Sequence, residues 1–321
     1  MKAVILAAGY NRRLKDVVDI PKTLLKIGDT TILGKQINAL KNAGLKHEDI
    51  FVVSGYKKEL IEIVHNNTVY NEKFREFDNA YSVYLALKYL NNHDLLEENE
   101  ELLIFDGDLV YDDQLIAEIM TNKNKNLLIT KKIQYSTLLK DEIIIPDQNG
   151  KATQLIIPSL NNPLDQSHAN KELFTYIGIM KLSKDVSKQL TEALATQHKG
   201  WYTLPLPKIV ESNEFYHFPI RQDLKFCFDV DTKEDYERLQ RISNQFKKNT
   251  KRYKMFTAGP VNVSDSVKEA MHYPEIGHRE SEFSDLFWDV QKKLIKVFGA
   301  DEENYTTFVV GGSGTAAMES V

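Results

Sequence analysis

VILAAGYNRRL, residues 4–14, and IPKTLLKI, residues 20–27, decide how this chain is read. The run from Val4 to Ala8 is apolar without alternation, as a strand buried on both faces requires. It ends in Ala7, Ala8 and Gly9, whose small side chains let backbone N–H groups approach phosphate oxygens. Arg13 and Lys22 then add two cations from separate points of the same loop. A strand–helix turn explains the glycine. The two cations in step with it point further, to a grip for a nucleoside triphosphate.

Outward from that stretch, strand-like and helix-like segments alternate to about residue 240. Strands are expected at 2–8, 49–55, 102–106, 126–131, 142–146, 174–181 and 226–231, and helices at 31–43, 82–90, 113–121 and 184–198. Gly44 stops the first helix and Ser183 caps the last. This order implies an α/β fold with a mixed, mostly parallel, Rossmann-like sheet. Residues 1–245 are expected to form one domain and the basic segment 246–254 a linker. Residues 255–321 restart with different character and break off in a Gly-rich turn, the pattern of a fragment of a longer protein.

Bulk properties exclude several classes. The net charge of −5 across 321 residues argues against a general nucleic-acid binder. No apolar run has membrane-spanning length, and no secretory signal is recognisable. The single Cys227 excludes an internal disulfide and suits a reducing, cytoplasmic setting. The histidines show no ligand spacing with that cysteine, which disfavours a zinc enzyme.

Two acidic pairs complete the candidate chemistry. LLIFDGDLVY, residues 102–111, delivers Asp106 and Asp108 at the end of a strand, where open α/β sheets bind ligands. FCFDVDTKEDYERL, residues 226–239, repeats the arrangement with Asp229 and Asp231. Carboxylates two residues apart in extended chain project to the same side. Completed by triphosphate oxygens and water, such a set suits Mg²⁺. Asp231 is also placed to cap the helix expected at 232–245, and both roles stay open.

The stretch Leu6-Ala7-Ala8-Gly9-Tyr10-Asn11-Arg12-Arg13 resembles the LAAG-x-G-x-R opening of the nucleotidyltransferases, with Asn11 in place of the second glycine. Asn tolerates left-handed backbone better than other non-glycine residues. Residues 70–90 resemble the matching region of bacterial choline-phosphate cytidylyltransferases. The resemblance covers about residues 1–240 and implies a GT-A-like fold. It also implies CTP held by Leu6 to Asn11, with Asn79 and Ser82 beside the base and Asp106 nearby. Asp108 and Asp231 would be direct metal ligands with Asp229 close behind, and Lys22 and Arg13 would act on the phosphates. Ser82 could equally cap a helix.

Residues 255–321 resemble the start of class V, fold-type-I aminotransferases, above all 2-aminoethylphosphonate transaminases. The resemblance rests on Thr257-Ala258-Gly259-Pro260-Val261, Gly277-His278-Arg279 and Gly312-Ser313-Gly314-Thr315. It implies that Ser313, Gly314 and Thr315 hold the phosphate of pyridoxal phosphate (PLP) in a longer protein that works as a homodimer. The family's Schiff-base lysine lies beyond this segment, so no transaminase activity is expected here. The two resemblances together match bifunctional 2-aminoethylphosphonate cytidylyltransferase–transaminases. They imply transfer of CMP from CTP to that phosphonate. Asp141, Glu142, Trp201 and Tyr202 are the candidates for its ammonium, since carboxylates suit a primary ammonium and an aromatic cage suits choline. Phosphocholine or a sugar 1-phosphate as acceptor, and a silent nucleotide-binding scaffold, are the competing readings.

Overall fold

The computed structural model describes residues 1–10, 14, 18–136, 141–158, 164–221, 226–249 (244–249 by backbone alone), 280–307 and 309. In chain order the first strands are Lys2–Ala7 (β1), Lys26–Ile27 (β2), Thr30–Thr31 (β3), Ile50–Ser54 (β4) and Thr68–Tyr70 (β5). Glu101–Asp106 (β6), Leu109–Tyr111 (β7), Leu127–Ile133 (β8) and Ile143–Pro146 (β9) follow. The last are Ala152–Ile156 (β10), Leu173–Ser183 (β11), Tyr216–Pro219 (β12) and Cys227–Asp229 (β13). The helices are Ile32–Asn42 (α1), Lys58–Val64 (α2), Asn79–Asn92 (α3), Gln114–Thr121 (α4), Lys184–Leu194 (α5), Leu206–Ser212 (α6), Lys233–Asn249 (α7) and Ser281–Val297 (α8). Two units are separated between Lys251 and Arg252.

In the first unit β1 runs parallel to β4 and β6, and β5 extends the parallel side beyond β4. The other side turns antiparallel: β11 pairs β6, β8 and β9, and β9 pairs β10. β12 joins β8, completing a mixed nine-stranded sheet among the described residues. Alternate residues of β1 serve opposite cores. Val4 and Leu6 pack with residues of α3 and α5, while Ala3, Ile5 and Ala7 pack with residues of α1 and α4. Each fully buried Ile or Leu contributes about 1.5–3 kcal/mol. That two-sided burial is why β1 reads as an unbroken apolar run.

Local chemistry starts the helices. Thr31 accepts the Gly34 N–H at 3.0 Å and Ser183 accepts the Val186 N–H at 3.4 Å. α3 begins three residues before the expected start, so Ser82 lies inside its first turn and is not a cap. α5 ends at Leu194 rather than His198. α7 runs to Asn249, so residues 246–249 of the expected linker are helical.

The second unit is described over α8 and the chain just after it. Gln291 and Thr307 tie them together, with Gln291 Nε2 donating to the Thr307 carbonyl at 2.6 Å. Trp288, Val297 and Phe298 are largely exposed. No helix of the described residues is long and apolar enough to cross a membrane.

Candidate active site

The C-terminal ends of β1 and β6 open into a cleft of about 760 Å³ within the first unit. Parallel register sets Leu6 beside Asp106, so the Ala7–Gly9 turn and the first acidic pair emerge at the same sheet edge. Gly107 makes this possible: a Cβ there would come within 2.1 Å of the Leu6 carbonyl oxygen. The second acidic pair arrives on a separate ribbon. β13 pairs antiparallel with β7, and the Val230 N–H donates to the Asp108 carbonyl at 3.2 Å.

Lys22, on the short 3-10 turn Lys22–Leu24, reaches across this junction. Its Nζ lies 3.4 Å from Asp108 Oδ2 and hydrogen-bonds Asp231 Oδ1. Burial opposes its charge, but the two carboxylates outweigh burial and raise its pKa. Asp231 does not cap α7. Thr232 and Asp235 do so reciprocally: the Asp235 carboxylate accepts the Thr232 N–H at 2.9 Å and Thr232 Oγ1 accepts the Asp235 N–H at 3.2 Å. Asp231 is thereby left to face Lys22. Burial raises the Asp108 carboxyl against the pull of Lys22, and burial likewise raises Asp229.

The other end of the cleft is built differently. Burial first, then the nearby Asp108 charge, pushes Asp106 well above the ordinary carboxylate range. Tyr202 hydrogen-bonds Asp106, and the Tyr202 and Tyr176 hydroxyls are 3.0 Å apart. Thr203 donates to Glu142. Behind Asp106, β11 breaks register between Tyr176 and Met180. Gly178 sits in that break with φ +83°, where a Cβ would meet Asp106 Oδ2 at 2.5 Å.

Leu6, Ala7, Ala8, Gly9, Tyr10, Lys22, Asn79, Ser82, Asp106, Asp108, Asp229 and Asp231 all line this one cleft, as do Asp141, Glu142, Trp201 and Tyr202. Arg13, Asn11, Ser313, Gly314 and Thr315 lie outside the described residues. Two side chains expected at the base are engaged with protein. Asn79 Oδ1 accepts the Tyr202 N–H at 3.1 Å, and Ser82 Oγ accepts from Asn71 Nδ2 at 2.9 Å. Trp201 is half exposed, but Tyr202 is only 1% exposed and offers no open ring face for a cage. Asn71, Lys131, Tyr176 and Arg238 also line the cleft and escaped the sequence reading. Tyr176 had a usable signal in its polar hydroxyl within an apolar strand.

Among the described residues no three His, Cys, Asp or Glu side chains gather as a metal-holding group. What is present is a pair, Asp108 and Asp231, converging on the one ammonium of Lys22. That pair fits a Mg²⁺ that keeps waters and takes its remaining oxygens from a triphosphate.

Comparison with known proteins adds to this geometry. Residues 3–157 match the MobA-like NTP transferase domain. The choline-phosphate cytidylyltransferase of Haemophilus influenzae is 27% identical over 254 residues, covering 74% of this chain and 96% of that protein. The chain also shares its fold with the CTP:phosphocholine cytidylyltransferase of Streptococcus pneumoniae. The TM-score is 0.59 at 18% identity, over 75% of this chain and 98% of that one. The 2-aminoethylphosphonate–pyruvate transaminase of Bacillus cytotoxicus is 36% identical over 69 residues. The chain spans 19% of that enzyme's length.

Proposed function

We propose that the first unit is a Mg²⁺-dependent cytidylyltransferase that moves CMP from CTP onto 2-aminoethylphosphonate. The observation that carries this reading is Lys22 clasped by Asp108 and Asp231 at the mouth of the Ala7–Gly9 turn. A phosphonate oxygen attacks the α-phosphorus of CTP. The new P–O bond forms as the bond to the β-phosphate oxygen breaks, and pyrophosphate leaves with that electron pair. Mg²⁺ held by Asp108 and Asp231, with Asp229 close by, would neutralise the phosphate charge. Lys22 moves its ammonium from the carboxylates toward the α-phosphate, and Arg13 holds the departing pyrophosphate. The backbone N–H groups of the Ala7–Gly9 turn orient the triphosphate, with Leu6 and Tyr10 alongside. Asn79 and Ser82, which line the cleft, border the cytosine. No strong base is required, because the attacking phosphonate is already anionic. Positioning and charge neutralisation are what remain for the protein to supply.

The acceptor rests on two supports. One is the transaminase likeness, both in the short match and in the motifs between residues 257 and 315. The other is the carboxylate character of the far end, where Asp141 and Glu142 can each accept from a primary ammonium. Half-exposed Trp201 and the Haemophilus relative favour phosphocholine as the second reading. Pyrophosphate release with Mg²⁺ and CTP, comparing 2-aminoethylphosphonate, phosphocholine and glucose 1-phosphate, separates them. The reading requires release with 2-aminoethylphosphonate well above the other two. Preference for phosphocholine would keep the reaction and overturn the acceptor. Absence of release with all three would leave a nucleotide-binding scaffold.

A further inference from the structure

Gln36 is an anomaly of α1. It is 1% exposed on a helix whose neighbours Leu33, Ile37 and Leu40 belong to the apolar core. Burying a primary amide is unfavourable unless its polar atoms find partners. Gln36 Nε2 donates to two backbone carbonyls, Asp106 at 3.0 Å and Leu109 at 2.8 Å. Those carbonyls bracket Gly107 and Asp108. Among the described residues Gln36 Oε1 has no hydrogen-bond partner, so the two donated bonds alone orient the amide.

The location gives these bonds their significance. Asp106 ends β6 in the main sheet, whereas Leu109 begins β7, which pairs only with β13 among the described strands. The β7–β13 ribbon carries Asp229 and leads to Asp231. Gln36 therefore pins the start of the ribbon to the end of the main sheet, across the residue that faces Lys22. We propose that Gln36 is a positioning residue that sets Asp108, and through the ribbon Asp231, at the spacing a divalent cation needs. This rests on the metal-dependent reading above.

The test uses the full chain with CTP, and Mn²⁺ as the probe, its affinity read by electron paramagnetic resonance. Gln36→Leu keeps the size and removes both donors. Gln36→Glu keeps the shape and sets carboxylate oxygen against the carbonyls. Each should weaken Mn²⁺ binding by about tenfold or more, the usual effect of losing an orienting group behind a metal ligand. Asn126→Ala supplies the structural control. Asn126 is another buried amide clamp, donating to the Glu214 carbonyl at 3.0 Å and accepting the Ser183 N–H at 2.8 Å. It should lower the melting temperature and leave Mn²⁺ affinity unchanged. Wild-type Mn²⁺ affinity in either folded Gln36 variant, with Asp108→Asn weakened, overturns the inference and leaves the cytidylyltransferase reading standing. Undiminished Mn²⁺ affinity in Asp108→Asn overturns that reading itself.

Discussion

Asp108 and Asp106, two residues apart, meet different partners in the cleft. At one end Asp108 and Asp231 share the Lys22 ammonium. At the other, burial and the neighbouring Asp108 charge push the pKa of Asp106 well above normal beside Tyr202. The first arrangement balances negative charge against a lysine ammonium. The second disfavours charge on Asp106 and sets it beside the hydroxyls of Tyr202 and Tyr176. One cleft thus holds carboxylates in two different electrostatic settings. The difference comes from placement. Lys22 reaches the ribbon through a loop, while β11 bends over Asp106 at Gly178 and shuts it in.

The largest break in this contrast is Lys22→Ala. It removes the cation from the charged end and should cut turnover about 10³-fold, the scale of losing one charge-stabilising donor. Circular dichroism should stay native, and turnover within tenfold of wild type would take Lys22 out of the mechanism. Next comes Gly178→Ala, which strikes the desolvated end. A non-glycine residue at φ +83°, with its Cβ on Asp106 Oδ2, should cost about 1–3 kcal/mol in denaturant unfolding. A cost below 0.5 kcal/mol, a bound that surface substitutions usually meet, would mean the bend is not rigid.

A smaller effect sharpens the comparison through pH. Because the folded-state pKa of Asp106 is raised, folding takes up a proton there. Wild-type stability should therefore fall as pH rises from the unfolded carboxylate pKa through the raised folded one. Asp106→Asn cannot ionise, so its unfolding free energy should gain on wild type across that window. Parallel profiles for the two proteins would show that Asp106 keeps its charge in the fold.

How much of this was legible follows from which forces act locally. β1 announced itself because burial on both faces leaves no polar positions, and Lys22 and the four aspartates stood at strand ends and turns that local chemistry marks. Asp231 stayed ambiguous as long as its neighbours were unread; Thr232 and Asp235 form the cap and settle its direction. Gln36 gave no signal, because a glutamine on a helix normally faces water. Its partners are carbonyls some seventy residues away. The far end was hidden for a similar reason. Tyr202 looked like an open aromatic beside Trp201, but long-range packing against Asp106 and Tyr176 buries it. Short strands such as β5, β10 and β12 were missed because three to five residues carry too little periodicity.

The most direct test of the account is a crystal structure of the full chain with CTP and Mn²⁺, with the metal located by its anomalous signal. The account predicts a peak bridged by Asp108 and Asp231, with Lys22 withdrawn from both carboxylates onto the triphosphate at the Ala7–Gly9 turn. A triphosphate bound elsewhere, or a metal peak away from that aspartate pair, would contradict it.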